Sequence, residues 1–426
     1  MVVPSGYRPT RFELKNALLG NSRSRIGRAL RKLPSKRRIC ETLAPMGPRR
    51  MSLVILVLTT ALSSLAAAHY YLAKRLVLDS GLEGGLVPGL SAAIAVLGVG
   101  SILQPALERA LPAPWFRIVS WPFLVWMGVF WIGLNVLWIA EGLGAMAGWV
   151  GLGPVAPGLR AAALWLLIGA LAAWGLRGGL GPPRLERVEH TLPRWPGSLA
   201  GLRIVQISDV HIGPILGRRF LEDLVARVNA LDADLVAITG DLVDGRVDQL
   251  QGDVTPLGEL RAKHGVYFVT GNHDAYSGDE AWVAHLETLG IRVLRNRRDR
   301  IELAAGSFWL AGVDDHRGDW AAGSSEDLPR ALEGWDPSEP LVLLAHDPST
   351  FKRAHRRGIH LQLSGHTHGG QIWPFRWLVR LAVPWIEGCH EAGDSRLYVS
   401  RGTGFWGPPM RILSPAEITE HTLRAV

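Results

Sequence analysis

The chain has 426 residues, too many for one ordinary domain. It is 48% hydrophobic and only 20% charged, with 17 tryptophans, which argues against a wholly soluble protein and for a membrane part joined to a soluble part. The net charge is +8, yet residues 1–50 alone hold 13 Lys/Arg against two Asp/Glu, so the rest of the chain is slightly acidic. A folded nucleic-acid module needs a basic face of its own, so no nucleic-acid partner is expected. Cys40 and Cys389 form no CxxC pair, which leaves neither a disulfide framework nor a Cys-rich zinc site.

Residues 1–50 read as a basic, disordered tail, with an anionic-lipid anchor as the alternative. Three apolar stretches follow, at 51–73, 84–107 and 118–140. Each exceeds the ~18 residues expected of a spanning helix. A fourth, 161–176, is short but bounded by Arg160 and Arg177, whose stems can snorkel. Residues 51–177 are therefore expected to form a multi-pass domain of three to four helices in the cell (inner) membrane, with the bilayer as partner. Four spans and a basic N-terminus inside put the C-terminal half in the cytoplasm, whereas three spans put it outside. Residues 178–199, rich in Gly, Pro and Arg, read as a linker.

From residue 200 the texture changes to an α/β pattern that runs to residue 426. Short apolar runs at 202–207, 235–238, 266–269, 308–311, 341–344, 360–363 and 397–399 predict strands. Apolar positions Leu221, Leu224, Val225 and Val228 predict a helix over 220–231.

Polar clusters follow five of the runs: Ser208-Asp209-Val210-His211, Thr239-Gly240-Asp241, Gly271-Asn272-His273-Asp274, Ala345-His346-Asp347 and Gly365-His366-Thr367-His368. Ligands in open α/β sheets sit beyond the carboxyl ends of strands, so one rim collects these groups. Asp209/His211 and His366/His368 are i, i+2 pairs, which on extended chain share a side. Imidazole and carboxylate suit Mn, Fe, Zn or Ni. One ion is saturated by about four protein ligands, so this many point to a metal pair. A lone His or Asp at a strand end is ordinarily a turn or core residue, and His264, His285, His355 and His360 belong there.

In order and spacing these motifs resemble the calcineurin-like metallophosphoesterase superfamily, in a bacterial, membrane-anchored branch, over about residues 202–426. The resemblance implies a β-sandwich flanked by helices. It implies that Asp209, His211 and His368 hold one metal, that Asn272, His346 and His366 hold a second, and that Asp241 bridges them. Two divalent ions are implied as cofactors, manganese first, with Fe, Zn, Ni or Mg as alternatives. His273 is similar to the family's non-ligand histidine at the leaving oxygen, with Asp274 to orient it. A metal-bridged hydroxide attacking phosphorus follows from such a site. Protein Ser/Thr phosphatases carry Glu after the Asn-His pair and Arg after the Gly-Asp block. Here Asp274 follows the Asn-His pair and the block reads Gly240-Asp241-Leu242-Val243-Asp244-Gly245, which turns the substrate away from phosphoproteins.

The expected enzyme is thus a hydrolase of a phosphodiester or pyrophosphate in a lipid or lipid-linked substrate. A phosphomonoesterase and a non-catalytic scaffold are the alternatives. Gln371, Trp373, Arg376 and Trp377 open an apolar stretch, 372–385, just after the last histidine pair. It reads either as core or as an interfacial element that meets substrate and lipid.

Overall fold

A computed structural model of the chain describes residues 48–111, 113–316 and 325–426. The expected disordered tail lies outside the described residues, except for its last three positions, which open the first helix. The apolar stretches become helices because a segment without polar neighbours must satisfy its own backbone. They are α1, Pro48–Leu76; α2, Leu86–Ile102; the short α3, Gln104–Ala110; α4, Ala113–Trp149; and α5, Pro157–Leu180.

Among the described residues three spans, Met51–Ser80, Trp115–Trp149 and Pro157–Leu180, are long and apolar enough to cross a membrane. The stretch at 84–107 is not one long helix: it stops at Ile102 and restarts as α3 with Pro105 in its first turn. The stretch expected to be short is the longer one, because α5 recruits residues on both sides of 161–176.

The chain divides into two compact units at Ala66/Ala67, within α1. In the second unit Leu72, Leu76, Trp126, Leu137 and Ile168 build a helical core that also takes in Ile372, Met410 and Ile412. Glu141 of α4 lies 2.9 Å from Arg75 near the end of α1 and 3.2 Å from Arg160 near the start of α5.

Residues 178–199 are not a free linker. Helix α5 runs to Leu180, and strand β1, Arg184–Leu192, pairs in parallel along its length with the C-terminal strand, Glu417–Ala425. Its outward face carries Arg187 and Glu189, the charges typical of an edge strand, and these mask the alternation.

The soluble half continues with β2, Arg203–Ile207; α6, Arg218–Asn229; β3, Leu235–Thr239; α7, Val247–Val254; β4, Val266–Val269; α8, Asn272–Ser277; and α9, Asp279–Thr288. Strands β5, Arg292–Val293, β6, Arg297–Leu303, and β7, Gly306–Gly312, follow. Then come α10, Leu328–Ala331; β8, Leu341–Leu344; α11, Phe351–Ala354; β9, Leu361–Ser364; and α12, Arg376–Ala382. Strands β10, Gly388–Ala392, β11, Ser395–Val399, and β12, Glu417–Ala425, close the chain.

Two six-stranded sheets form, in the orders β1-β12-β2-β3-β4-β5 and β10-β11-β9-β8-β7-β6. Strands β2, β3 and β4 run parallel in one, and β8 and β9 in the other. The mainly apolar strands β3, β4 and β8 are buried on both faces, as parallel sheets require, and β9 is buried likewise although it carries Gln362 and Ser364. One core lies between the sheets around Ile204, Tyr267, Leu344 and Leu363. A second packs the first sheet on Leu221, Leu224 and Trp282, and a third packs the other sheet on Phe351 and Leu328. The result is a β-sandwich with helices on both outer faces.

Candidate metal centre

The carboxyl ends of β2, β3, β4, β8 and β9 meet at one rim. The i, i+2 pairs are not extended, contrary to the simple strand argument. Asp209, His211, Asp241, His366 and His368 have φ of 51°, 52°, 50°, 74° and 50°. A side chain in this left-handed region carries strain of about 1–3 kcal/mol, which persists only where the surroundings impose it. Cross-rim hydrogen bonds impose it here. Asp209 N–H donates to Gly240 O at 3.0 Å, His211 N–H to Asp241 O at 3.1 Å, and His366 N–H to Asp209 Oδ1 at 2.9 Å. Gly271 and Gly365 let the strand ends approach this closely, because a Cβ at either would collide with Asp241 or with Ser208 and Asp209.

The turns gather two clusters that can each hold an ion. In Asp209/His211/His368, and again in Asp241/His346/His366, the ligand-type atoms lie within 4.8 Å of one another. His211 Nε2 faces His368 Nε2 at 3.1 Å, and His366 Nδ1 faces His346 Nε2 at 3.2 Å. Asp241 Oδ2 lies 3.1 Å from His346 Nε2 and 3.9 Å from His211 Nε2, between the clusters. Asn272 starts α8 and is buried at the same rim. Asp209 Oδ2 and Asn272 Oδ1 are buried with no hydrogen-bond partner. Buried polar atoms are otherwise almost always paired, so the donor set fits cations. A further group, Asp315/His316/Asp347, lies beside His366.

His273 sits on α8 at the cavity edge. Its Nδ1 lies 2.7 Å from Asp244 Oδ1, and its N–H donates to Asp241 Oδ1 at 2.8 Å. Burial alone would depress its pKa, but the hydrogen bond to Asp244 and the charges of Asp241 and Asp244 outweigh it and raise the value to about 9. Asp244 also holds His211 Nδ1 at 3.0 Å. Asp244 is the carboxylate that orients His273, and the expectation for Asp274 is corrected. Asp274 accepts the N–H groups of Leu242, Val243 and Gly271, and so pins the β3 loop to the β4 loop. Burial and the Asp241 charge push its pKa up to about 7. Asp244 was legible only as the second acid of Asp241-Leu242-Val243-Asp244.

Arg411 also escaped the sequence reading as a site residue. Its guanidinium is buried behind His368, with Nη2 donating to Gly404 O at 2.6 Å and lying 3.2 Å from His368 Nδ1. Gln371 is buried, and its amide donates to Trp406 O and Pro408 O at 2.9 and 3.0 Å while accepting the Trp406 N–H. It fixes the loop that places Trp406 against the His273 ring, 6.0 Å away. Trp373, Arg376 and Trp377 do not line the cavity beside His273. Trp373 and Trp377 are exposed, and Arg376 pairs with Glu387.

Two Asp/His clusters at the meeting ends of a helix-flanked sandwich define a metal-binding rim of the metallophosphoesterase type. The calcineurin-like phosphoesterase family matches residues 202–370. The chain is 41% identical over 275 residues to a transmembrane protein with metallophosphoesterase domain from Danio rerio, covering 62% of this chain and 63% of that one. A metallophosphoesterase of Helicobacter pylori is 36% identical over 248 residues, covering 57% and 65%. A metallophosphoesterase of Bacillus subtilis is 32% identical over 278 residues, covering 61% of this chain and 95% of that one. The chain belongs to the calcineurin-like phosphoesterase family, and it spans just under two thirds of the length of the Danio rerio and Helicobacter pylori relatives.

Proposed function

We propose that the chain is a membrane-anchored hydrolase of phosphoester bonds that works with two divalent ions, manganese first among them. The observation that carries this is the pair of buried ligand clusters across one rim, with Asp209 Oδ2 and Asn272 Oδ1 left without partners. In this reading Asp209, His211 and His368 hold one ion, Asn272, His346 and His366 the other, and Asp241 reaches both. Such a pair, when bound, polarises phosphoryl oxygens and lowers the pKa of a water toward ~7.

The chain's own residues do the rest. Asp244 takes His273 Nδ1, which leaves the other ring nitrogen for the leaving oxygen. Arg411 and Asp274 keep His368 and the two loops in place. Replacing His273 with Ala is expected to keep both metals and lower kcat by about 10²–10⁴. Undiminished turnover would remove His273 from the mechanism. The substrate is proposed to be a phosphodiester or pyrophosphate of a lipid or lipid-linked molecule. This is supported by the contact of the apolar helices with the loops behind the site. Arg411 N–H donates to Gly175 O of α5 at 2.9 Å, and Phe375 meets Trp131 of α4 at 5.4 Å. A phosphomonoesterase is the second reading. Hydrolysis of bis-(p-nitrophenyl) phosphate well above p-nitrophenyl phosphate supports the diesterase, and the reverse preference overturns it.

The same reading counts α2 as a fourth, shorter crossing beside the three long helices, because Glu141 meets both Arg75 at the end of α1 and Arg160 at the start of α5. It seats the protein in the inner membrane with its catalytic half in the cytoplasm. Arg177, Arg184, Arg187 and Arg194 follow the last helix, as the positive-inside tendency asks. Arg75 and Arg160, at the other end, are engaged by Glu141. A reporter fused to the C-terminus decides between the two sides.

A further inference from the structure

The cavity beside His273 is not built by the catalytic half alone. It has a volume of about 720 Å³, and one side carries His211, Asp244 and His273. Phe116 and Leu124 of α4 and Gln104 at the start of α3 supply lining from the apolar helices, and Phe405 and Trp406 close the space near His273. Phe116 and Leu124 are eight residues apart, so they stand on one stripe of α4 and define about 12 Å of apolar wall. The wall belongs to a helix of membrane-spanning length, Trp115–Trp149. A ligand in this space meets charged and hydrogen-bonding groups on the catalytic half and the hydrocarbon of Phe116 and Leu124 on the helix side, the mixture expected of a site for an amphipathic molecule.

We infer that α4 is part of the substrate site. Its Phe116 and Leu124 form a tail-binding wall for a phosphoester whose hydrocarbon chain starts within a few bonds of the phosphate. This rests on the phosphoester-hydrolase reading above. The phosphate lies toward His273, and the chain leaves along α4 toward the bilayer that the same helix crosses. A small phosphoester without an apolar group has nothing to place on that wall. The residues that select the substrate are therefore split between the two halves of the chain, and Trp406, held by Gln371, stands at the join. The residues set aside in the sequence as lipid contacts, Trp373 and Trp377, are exposed outside this cavity, so the selecting wall is α4 and not the 372–385 stretch.

The test uses the full chain in lipid nanodiscs and a series of n-alkyl phosphates from ethyl to octyl. They are measured as inhibitors of bis-(p-nitrophenyl) phosphate hydrolysis and, separately, as ligands by calorimetry. Burying a methylene strengthens binding by up to about fourfold, so affinity is expected to climb steeply along the series. Leu124→Asp and Phe116→Asp are expected to flatten that slope. Leu124→Trp fills the space without adding charge, and is expected to cut the series short at a lower chain length. Melting temperatures confirm that the variants compared are folded. A flat series in the unmodified protein overturns the inference, as does an unchanged slope in folded Leu124→Trp. Absence of all phosphoester hydrolysis overturns the functional reading instead. Calorimetry then still decides the wall, because it needs no turnover.

Discussion

Replacing Asp241 with Asn is expected to leave the purified protein with clearly less than two equivalents of metal and to lower turnover more than any outer substitution. Asn keeps the volume and one acceptor oxygen, so the change removes charge and little else. Three positions depend on that charge. Oδ2 lies 3.1 Å from His346 Nε2 and 3.9 Å from His211 Nε2, and Oδ1 accepts the His273 N–H at 2.8 Å. Burial opposes ionisation of Asp241, but His346, His273 and His211 together hold it well below the usual carboxylate range. Changes to groups behind a metal ligand typically weaken metal affinity by about 10–100-fold, and a carboxylate shared by two ions should exceed that. Metal content after dialysis, measured by mass spectrometry beside bis-(p-nitrophenyl) phosphate turnover, checks it. Two retained equivalents would take Asp241 out of the shared position.

The residues at this rim were legible because their chemistry is written beside short apolar runs. Strands β3, β4 and β8 are buried on both faces, so their apolar sequences are nearly continuous and their ends sharp. The strands that escaped have the opposite character. Strand β12 lies between β1 and β2, yet it carries Glu417, Glu420 and His421. Its burial is satisfied by polar partners. Glu417 accepts from Tyr398 at 2.8 Å, and His421 contacts His190 and Gln206, each at 3.0 Å. No local hydrophobic count can find such a strand, because its partners are distant in sequence. The same applies to Arg411, which reaches His368 from 43 residues away. It applies as well to the left-handed turns at Asp209 and His368, which packing enforces and propensity opposes. Asp244 failed differently. It was visible as an acid, but a carboxylate three residues past Asp241 looks like an ordinary turn residue until His273 is folded against it.

The second large effect is expected one residue behind the rim, at Gly178 of α5, which packs against Arg411. Helix α5 lies against residues 409–411 along Gly175, Gly178 and Gly179. A Cβ on Gly178 would collide with the Arg411 carbonyl, and one on Gly179 would lie 2.5 Å from Pro409 O. Both obstacles are backbone, so no side chain can swing aside. Gly178→Val is therefore expected to destabilise the protein by about 1–3 kcal/mol, the range for overpacking a close contact. It should also lower kcat/KM at least about tenfold, because the displaced segment carries Arg411. That guanidinium is clamped on Gly404 O at 2.6 Å and lies 3.2 Å from His368 Nδ1. Gly169 on the same helix has open space where its Cβ would go, so Gly169→Ala is the matched control. Alanine there should stabilise the helix by up to about 1 kcal/mol and leave turnover unchanged. Thermal unfolding, metal content after dialysis and bis-(p-nitrophenyl) phosphate kinetics on both variants separate the roles of α5. A loss of melting temperature with kcat intact would make the helix an anchor only. A parallel loss of kcat and of metal content would make it a structural support of His368, so that the helices act on the metal site itself and not just on where it is held.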